Sequence, residues 1–223
     1  MPSMMLSPFV IRKKVADAGR WLSDRGLVAG TDGNISVRLE PDRILITPTG
    51  FSKGRLSPDD MVIVDSNGKK LQGGHEASSE MLMHLFVYKK RPDVTACVHA
   101  HPPHATAFAV AGISLVEDIL PEVVLFVGGI PLTDYAPPGT DAVPRALEPH
   151  IENHNAFLLR NHGLLTLGRS LDEACQRHET VEHYAQIVHL ARQLGSPNRL
   201  PSEDYERLQR MRRGLDKARN KNG

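Results

Sequence analysis

The stretch "CVHAHPPHATA", Cys97 to Ala107, decides how the rest of the chain is read. With Val94-Thr95-Ala96 before it, its first half predicts a strand, "VTACVHAH". Pro102-Pro103 stop that strand, and the residues after them predict a helical segment from His104 to Val110. In a strand, side chains at i and i+2 share a face, with Cα atoms roughly 7 Å apart. His99 and His101 can therefore converge on one ion, at about 2.0–2.1 Å each. His104 lies past the prolines and starts another element. An HxH pair alone is a weak signal, and a metal site needs a third ligand from elsewhere in the chain.

Outward from this stretch, strands and helices alternate. Residues Pro8 to Arg25 carry apolar positions at helical spacing, with Gly26 as a stop. "GTDGNISVRL" is glycine-rich and opens a strand; "RILITPTGF" is a short β-rich run ending on Pro48 and Gly50. "MVIVDSNGK" is a strand leading into a tight turn at Asn67-Gly68. A helix follows from about Ser79 to Lys90, with Ser78-Ser79 as its cap and Glu80 in its first turn. "NAFLLRNHGLLTLG" reads as two strands broken at Asn161-His162-Gly163. A long helix runs from Ser170 to Leu194, with acidic residues at its start and Gly195 at its stop. No GxGxxG follows a strand. The pattern is one α/β domain over 1–223 with a mixed sheet between helices, and 201–223 as a basic tail, solvated or disordered.

The chain has 223 residues with 27 basic against 26 acidic ones, a net charge of +1. That balance points to neither nucleic acid nor a membrane surface as partner. The opening residues lack a signal peptide's order of parts, and no apolar run approaches the roughly 18 residues of a membrane span. The two cysteines, Cys97 and Cys175, stand far apart in unlike contexts. A soluble protein of a reducing, cytoplasmic compartment is expected.

Two further residues are candidates for the histidine site. His162 sits where a polar Asn-His-Gly interrupts two apolar runs, and a buried imidazole without a partner costs free energy. It reads either as a turn histidine bonded to backbone or as the third ligand. Glu80 reads either as an acid complementing a helix dipole, worth about 0.3–1 kcal/mol, or as a carboxylate at the ion. The HExxH pattern is absent, because position 79 is serine.

"GTDGNIS" (Gly30 to Ser36), "ITPTG" (Ile46 to Gly50), "SSE" followed by "HAH", and "NHG" occur in this order over nearly the whole chain. In these motifs the chain resembles the class II aldolase/adducin superfamily, whose members include L-fuculose-1-phosphate aldolase and L-ribulose-5-phosphate 4-epimerase. The resemblance implies a three-layer α/β/α sandwich with a mostly antiparallel central sheet, assembled as a homotetramer with active sites at subunit interfaces. It implies His99, His101 and His162 as ligands of one Zn2+ per chain, with Mn2+ or Co2+ as compatible substitutes, and Glu80 as the acid/base on the metal. It implies a substrate phosphate site at Gly33, Asn34, Thr49, Gly50, Ser78 and Ser79. Glycine-loop amides, hydroxyls and a helix start make an anion cradle without any lysine.

The implied activity is aldol cleavage of a ketose 1-phosphate, of the L-fuculose or 5-deoxy/methylthio-pentulose type, to dihydroxyacetone phosphate and an aldehyde. Breaking the bond between C3 and C4 leaves negative charge beside a carbonyl, which a Lewis acid held by three neutral imidazoles stabilises. The same site would serve a sugar-phosphate epimerase, a decarboxylase of a phosphorylated keto-acid, or a dehydratase; a non-catalytic adducin-like assembly domain is the remaining alternative. One departure matters. Fuculose aldolase uses a tyrosine after the HxH strand, and "VEDILPEVVLFVGGIP" here has none. Asp118, Glu122, Tyr135 and Tyr205 are the candidate proton donors. Ile113 to Ile130 is also more apolar than an exposed loop tolerates, which suggests contact with a neighbouring subunit.

Overall fold

The computed structural model describes residues 7–115 and 118–221. The first six residues, where the leader reading falls, and Val116-Glu117 of the tyrosine-free stretch lie outside the described residues. The same is true of the last two residues of the tail.

Seven strands form one sheet in the order β4-β3-β2-β1-β5-β7-β6. They are β1 (Asn34–Glu40), β2 (Arg43–Ile46), β3 (Val62–Val64), β4 (Lys70–Gln72), β5 (Ala96–Ala100), β6 (Ala156–Leu159) and β7 (Gly163–Gly168). Every pairing is antiparallel. The helices are α1 (Pro8–Asp24), α2 (Met81–Lys90), α3 (Pro103–Ala111), α4 (Pro121–Phe126), α5 (Ala142–Leu147), α6 (Leu171–Leu194) and α7 (Ser202–Lys221).

Alternation along the strands divides the core. Ile44, Ile46, Cys97, Leu165 and Leu167 point to one face, where Met83 and Val87 of α2 and Val143 and Leu147 of α5 cover them. Leu45, Ile63, Ala96 and Val98 point to the other, beneath Val15 and Leu22 of α1 and Ala174 of α6. A third cluster joins α3, α4 and α6 to Leu158 and Leu164. With helices on both faces, the inner strands read as continuous apolar runs although the sheet is antiparallel. The three-layer α/β/α architecture is the one expected.

Two local expectations need correction, and one apolar stretch gains a partner within the chain. The helix read from Ser79 begins at Met81, and Glu80 occupies its N-cap position instead of its first turn. Within the apolar stretch from Ile113 to Ile130, Leu115, Val123, Val127 and Ile130 are buried in the chain's own third cluster, while Ile113 and Phe126 stay exposed. The segment read as a solvated tail carries α7, which lies against α4 and buries Leu208.

Antiparallel order has one consequence for function. The starts of β1 and β7 and the ends of β2, β5 and β6 all fall at the same end of the sheet, so Asn34, the turn after Ile46, His99-Ala100-His101 and the β6–β7 turn become neighbours. Asn34 stands opposite His99 in the register, and Ala100 opposite Leu164.

Candidate metal centre

His99 is buried in β5, and His101 lies just past the strand's end. His162 is carried by the β6–β7 turn. Its motif has a physical reading residue by residue. Asn161 adopts the left-handed conformation, φ 55°, which asparagine tolerates better than most residues. Gly163 is required by space: a Cβ there would stand 2.5 Å from His101 Cδ2 and 2.6 Å from the Ala100 carbonyl. Gly33 is constrained in the same way, with φ 73° and an added Cβ 2.6 Å from the His99 carbonyl. Both glycines let their turns close onto the end of β5.

The three imidazoles surround a common point. One ring nitrogen from each lies within 4.8 Å of the others, and the ring centroids are 4.6–5.0 Å apart. His99 Nδ1 donates to the Leu164 carbonyl at 3.0 Å, which leaves Nε2 with a free lone pair. His99 Nε2 meets His101 Nε2 at 3.2 Å, while His101 Nδ1 faces Asp32 Oδ2 at 3.4 Å. Burial, then the neighbouring His99, pushes the His162 imidazole down to about 4 and lowers His101 as well. Neutral rings are the ligating form.

Glu80 completes the constellation. Its Oε2 is 3.3 Å from His99 Nε2 and accepts a hydrogen bond from Asn34 Nδ2 at 2.8 Å. Its Oε1 is 3.2 Å from His162 Nε2, yet that oxygen is buried and has no hydrogen-bond partner among the described residues. Burial alone would raise this carboxyl; the His99 and His162 rings and the Asn34 amide outweigh it and hold it well below the ordinary carboxylate range. A buried orphan acceptor beside three convergent lone pairs is the donor set of a divalent cation. The residues present fit a metal ion.

The phosphate candidates divide. An isolated antiparallel bridge between Pro48 and Ala77 sets the Thr49-Gly50 turn beside Ser78-Ser79. The amides of Thr49 and Ser78 are already engaged by the Glu76 and Thr47 carbonyls, at 3.1 Å each, and Ser78 Oγ accepts from the Glu80 amide at 3.3 Å. Asn34 is buried, and its side chain is committed to Glu80 and to His84. Among the candidate proton donors, Asp118 pairs with Arg199 at 2.9 Å, and Tyr205 takes a hydrogen bond from Gln209. Tyr135 and Glu122 are exposed. None of these four is among the groups that hold Glu80 and the three rings.

Sequence reading missed four participants. Asp32 faces His101, and His84 lies behind Asn34. Lys53 is a buried lysine whose Nζ donates to the Thr31 and Phe51 carbonyls, at 2.8 and 2.5 Å, tying the glycine loop to the turn after β2. Burial pushes it down to about 8, against the pull of Asp32 and Glu80. Glu182 answers the question of the third histidine. Its carboxylate accepts from the His104 and Ala105 amides at 3.0 and 2.8 Å and contacts His104 Nδ1 at 2.8 Å. His104 belongs to the cap of α3.

Residues 13–189 match the model of the family described as "Class II Aldolase and Adducin N-terminal domain". The chain is 35% identical over 180 residues, 79% of its length and 85% of the relative's, to 3-oxo-tetronate 4-phosphate decarboxylase of Haemophilus influenzae. It is 35% identical over 204 residues, 91% of its length and 90% of the relative's, to 5-methylthioribulose-1-phosphate/5-deoxyribulose-1-phosphate aldolase of Rhodospirillum rubrum. The solved structure of an L-fuculose 1-phosphate aldolase superposes with a TM-score of 0.83 at 32% identity, over 90% of this chain and 95% of that one.

Proposed function

This chain belongs to the class II aldolase and adducin family, and we propose that it is a zinc-dependent aldolase that cleaves a ketose 1-phosphate to dihydroxyacetone phosphate and an aldehyde. The observation that carries this reading is the convergence of three histidine nitrogens, within 4.8 Å of one another, with the Glu80 carboxylate 3.2–3.3 Å from His162 and His99. His99, His101 and His162 would hold the metal. Bound there, a divalent ion supplies Lewis acidity to the carbonyl and hydroxyl oxygens of the substrate.

The rest falls to the chain's own groups. Cleavage needs the C4 hydroxyl to lose its proton as the C3–C4 bond breaks. The electron pair is left on C3 and the aldehyde departs; C3 must then take a proton to give dihydroxyacetone phosphate. Glu80, ionised at rest, is the group suited to pass that last proton from solvent water to C3: one of its oxygens is fixed by Asn34 and the other carries no hydrogen bond. The hydroxyls of Thr49, Ser78 and Ser79, with the Gly50 amide, would take the phosphate and spend its binding energy on orientation. The C4 hydroxyl's proton would go to one of Asp118, Glu122, Tyr135 or Tyr205 from a neighbouring copy in a homotetramer. The large exposure of Tyr135, 60%, leaves its phenol accessible for such a contact.

Relatives named for 5-deoxyribulose- and methylthioribulose-1-phosphate favour small pentulose 1-phosphates as the substrate class. A second reading, decarboxylation of a phosphorylated keto-acid, is favoured by the Haemophilus relative. It asks for the same stabilised carbanion, with carbon dioxide leaving in place of the aldehyde. The test is a screen of the zinc-loaded protein with ketose 1-phosphates and a 3-oxo-tetronate 4-phosphate, following dihydroxyacetone phosphate and carbon dioxide in parallel. Release of dihydroxyacetone phosphate supports the aldolase. Carbon dioxide without it transfers the assignment to the decarboxylase, and equal turnover of a dephosphorylated ketose removes the phosphate site.

A further inference from the structure

Glu80, His84 and Tyr88 are spaced by four residues and lie along one side of α2 and its cap. Asn34 and Ser36 are spaced by two and share one face of β1. The two rows interlock. Asn34 Nδ2 donates to Glu80 Oε2 at 2.8 Å; Asn34 Oδ1 meets His84 Nε2 at 2.5 Å; His84 Nδ1 meets Ser36 Oγ at 2.7 Å; and Ser36 Oγ meets the Tyr88 hydroxyl at 2.6 Å. Asn34, Ser36, His84 and Tyr88 are all buried, between 0% and 6% exposed.

We propose that Tyr88, Ser36, His84 and Asn34 form a one-way hydrogen-bond chain that ends on Glu80 and presents its other oxygen to the substrate. The direction follows from one charge. An ionised carboxylate only accepts, so Asn34 turns its NH2 toward Glu80 and its carbonyl oxygen toward His84. That oxygen needs a donor, which places the proton of a neutral His84 on Nε2. His84 Nδ1 must then accept, so Ser36 donates to it, and the remaining Ser36 lone pair takes the Tyr88 proton. Burial keeps His84 neutral, pushed down to about 3, and, with Cys97 beside it, holds the Tyr88 phenol well above its ordinary value. Each member therefore has one role available, and bonds aligned in one direction polarise one another. The product is asymmetry at Glu80: Oε2 is fastened by Asn34, whereas Oε1 carries no hydrogen bond and faces the histidine cluster at His162 Nε2. His84, Ser36 and Tyr88 are positioning residues, acting through Asn34.

This rests on the reading of Glu80 as the proton carrier, and the experiment separates the two. Imidazole 15N–1H spectra of the wild-type protein, with His84 assigned by the signal lost in His84→Gln, report its tautomer directly. A protonated Nε2 and a bare Nδ1 at neutral pH are expected; a proton on Nδ1, or a cation, overturns the chain. In kinetics, Ser36→Ala and Tyr88→Phe should each lower kcat about five- to tenfold with KM and bound zinc unchanged. Unchanged kcat, or a loss that follows bound zinc, also overturns it. If instead Glu80→Gln keeps full kcat, the base reading fails, while the tautomer still decides the chain by itself.

Discussion

Gly163 and His101 meet so closely that only hydrogen fits between them: a Cβ at 163 would stand 2.5 Å from the His101 ring. The glycine of the Asn-His-Gly turn is thereby part of the histidine cluster's geometry. Gly163→Ala should displace His101 or the turn, at a cost of about 1–3 kcal/mol in stability. It should also weaken zinc binding by about 10–100-fold, as a disturbed ligand support does. Chelator competition and thermal unfolding check both; an alanine variant with wild-type zinc affinity would show that the turn has room to spare.

His104, next to the proline pair, should separate cleanly by role from the clustered histidines. The wild type should bind about one zinc per chain, and His101→Ala and His162→Ala should lose it. His104→Ala should keep it, since that ring serves the α3 cap. Metal analysis of the purified variants decides, and zinc lost from His104→Ala alone would reverse the assignment.

Glu182→Ala tests the cap from the other side. It strands the amides of His104 and Ala105, now held at 3.0 and 2.8 Å, and should cost about 1–3 kcal/mol for leaving buried donors unpaired. Urea unfolding is the measurement, and a variant as stable as wild type contradicts the capping role.

Glu80→Gln keeps the size of the side chain and removes the base. Zinc content should stay the same and kcat should fall by roughly 10²–10⁴, the usual worth of general acid–base catalysis. Normal turnover would leave Glu80 as a structural acid.

Acid stability should carry the mark of His178, which is fully buried with Nε2 unpartnered. Burial, with His99 and His101 behind it, pushes this imidazole from 6.5 down to about 3. Above 6.5 it is neutral folded or unfolded. Below that, the unfolded chain takes up a proton that the folded chain refuses. Stability therefore drops as pH falls from 6.5 toward about 3, by up to about 1.4 kcal/mol per pH unit. His178→Leu should flatten the stability curve across this window relative to wild type; parallel curves would refute the burial effect.

Local pattern in the sequence determined a good deal. The two-residue spacing of His99 and His101 placed them on one face, because strand periodicity is a property of the backbone alone. The Asn-His-Gly break marked the turn that carries His162, and the order of glycine- and hydroxyl-rich turns pointed to the family and its layered fold. Partnership was decided only by the tertiary structure. Asn34 and Glu80 are 46 residues apart in the chain, and His104 and Glu182 are 78 apart; antiparallel register brings the first pair to one end of the sheet, and α6 crossing α3 brings the second. The same holds for Lys53 beneath the glycine loop and for α7 against α4. Spacing along a chain encodes which way a side chain points, whereas what it meets there depends on how separate elements pack.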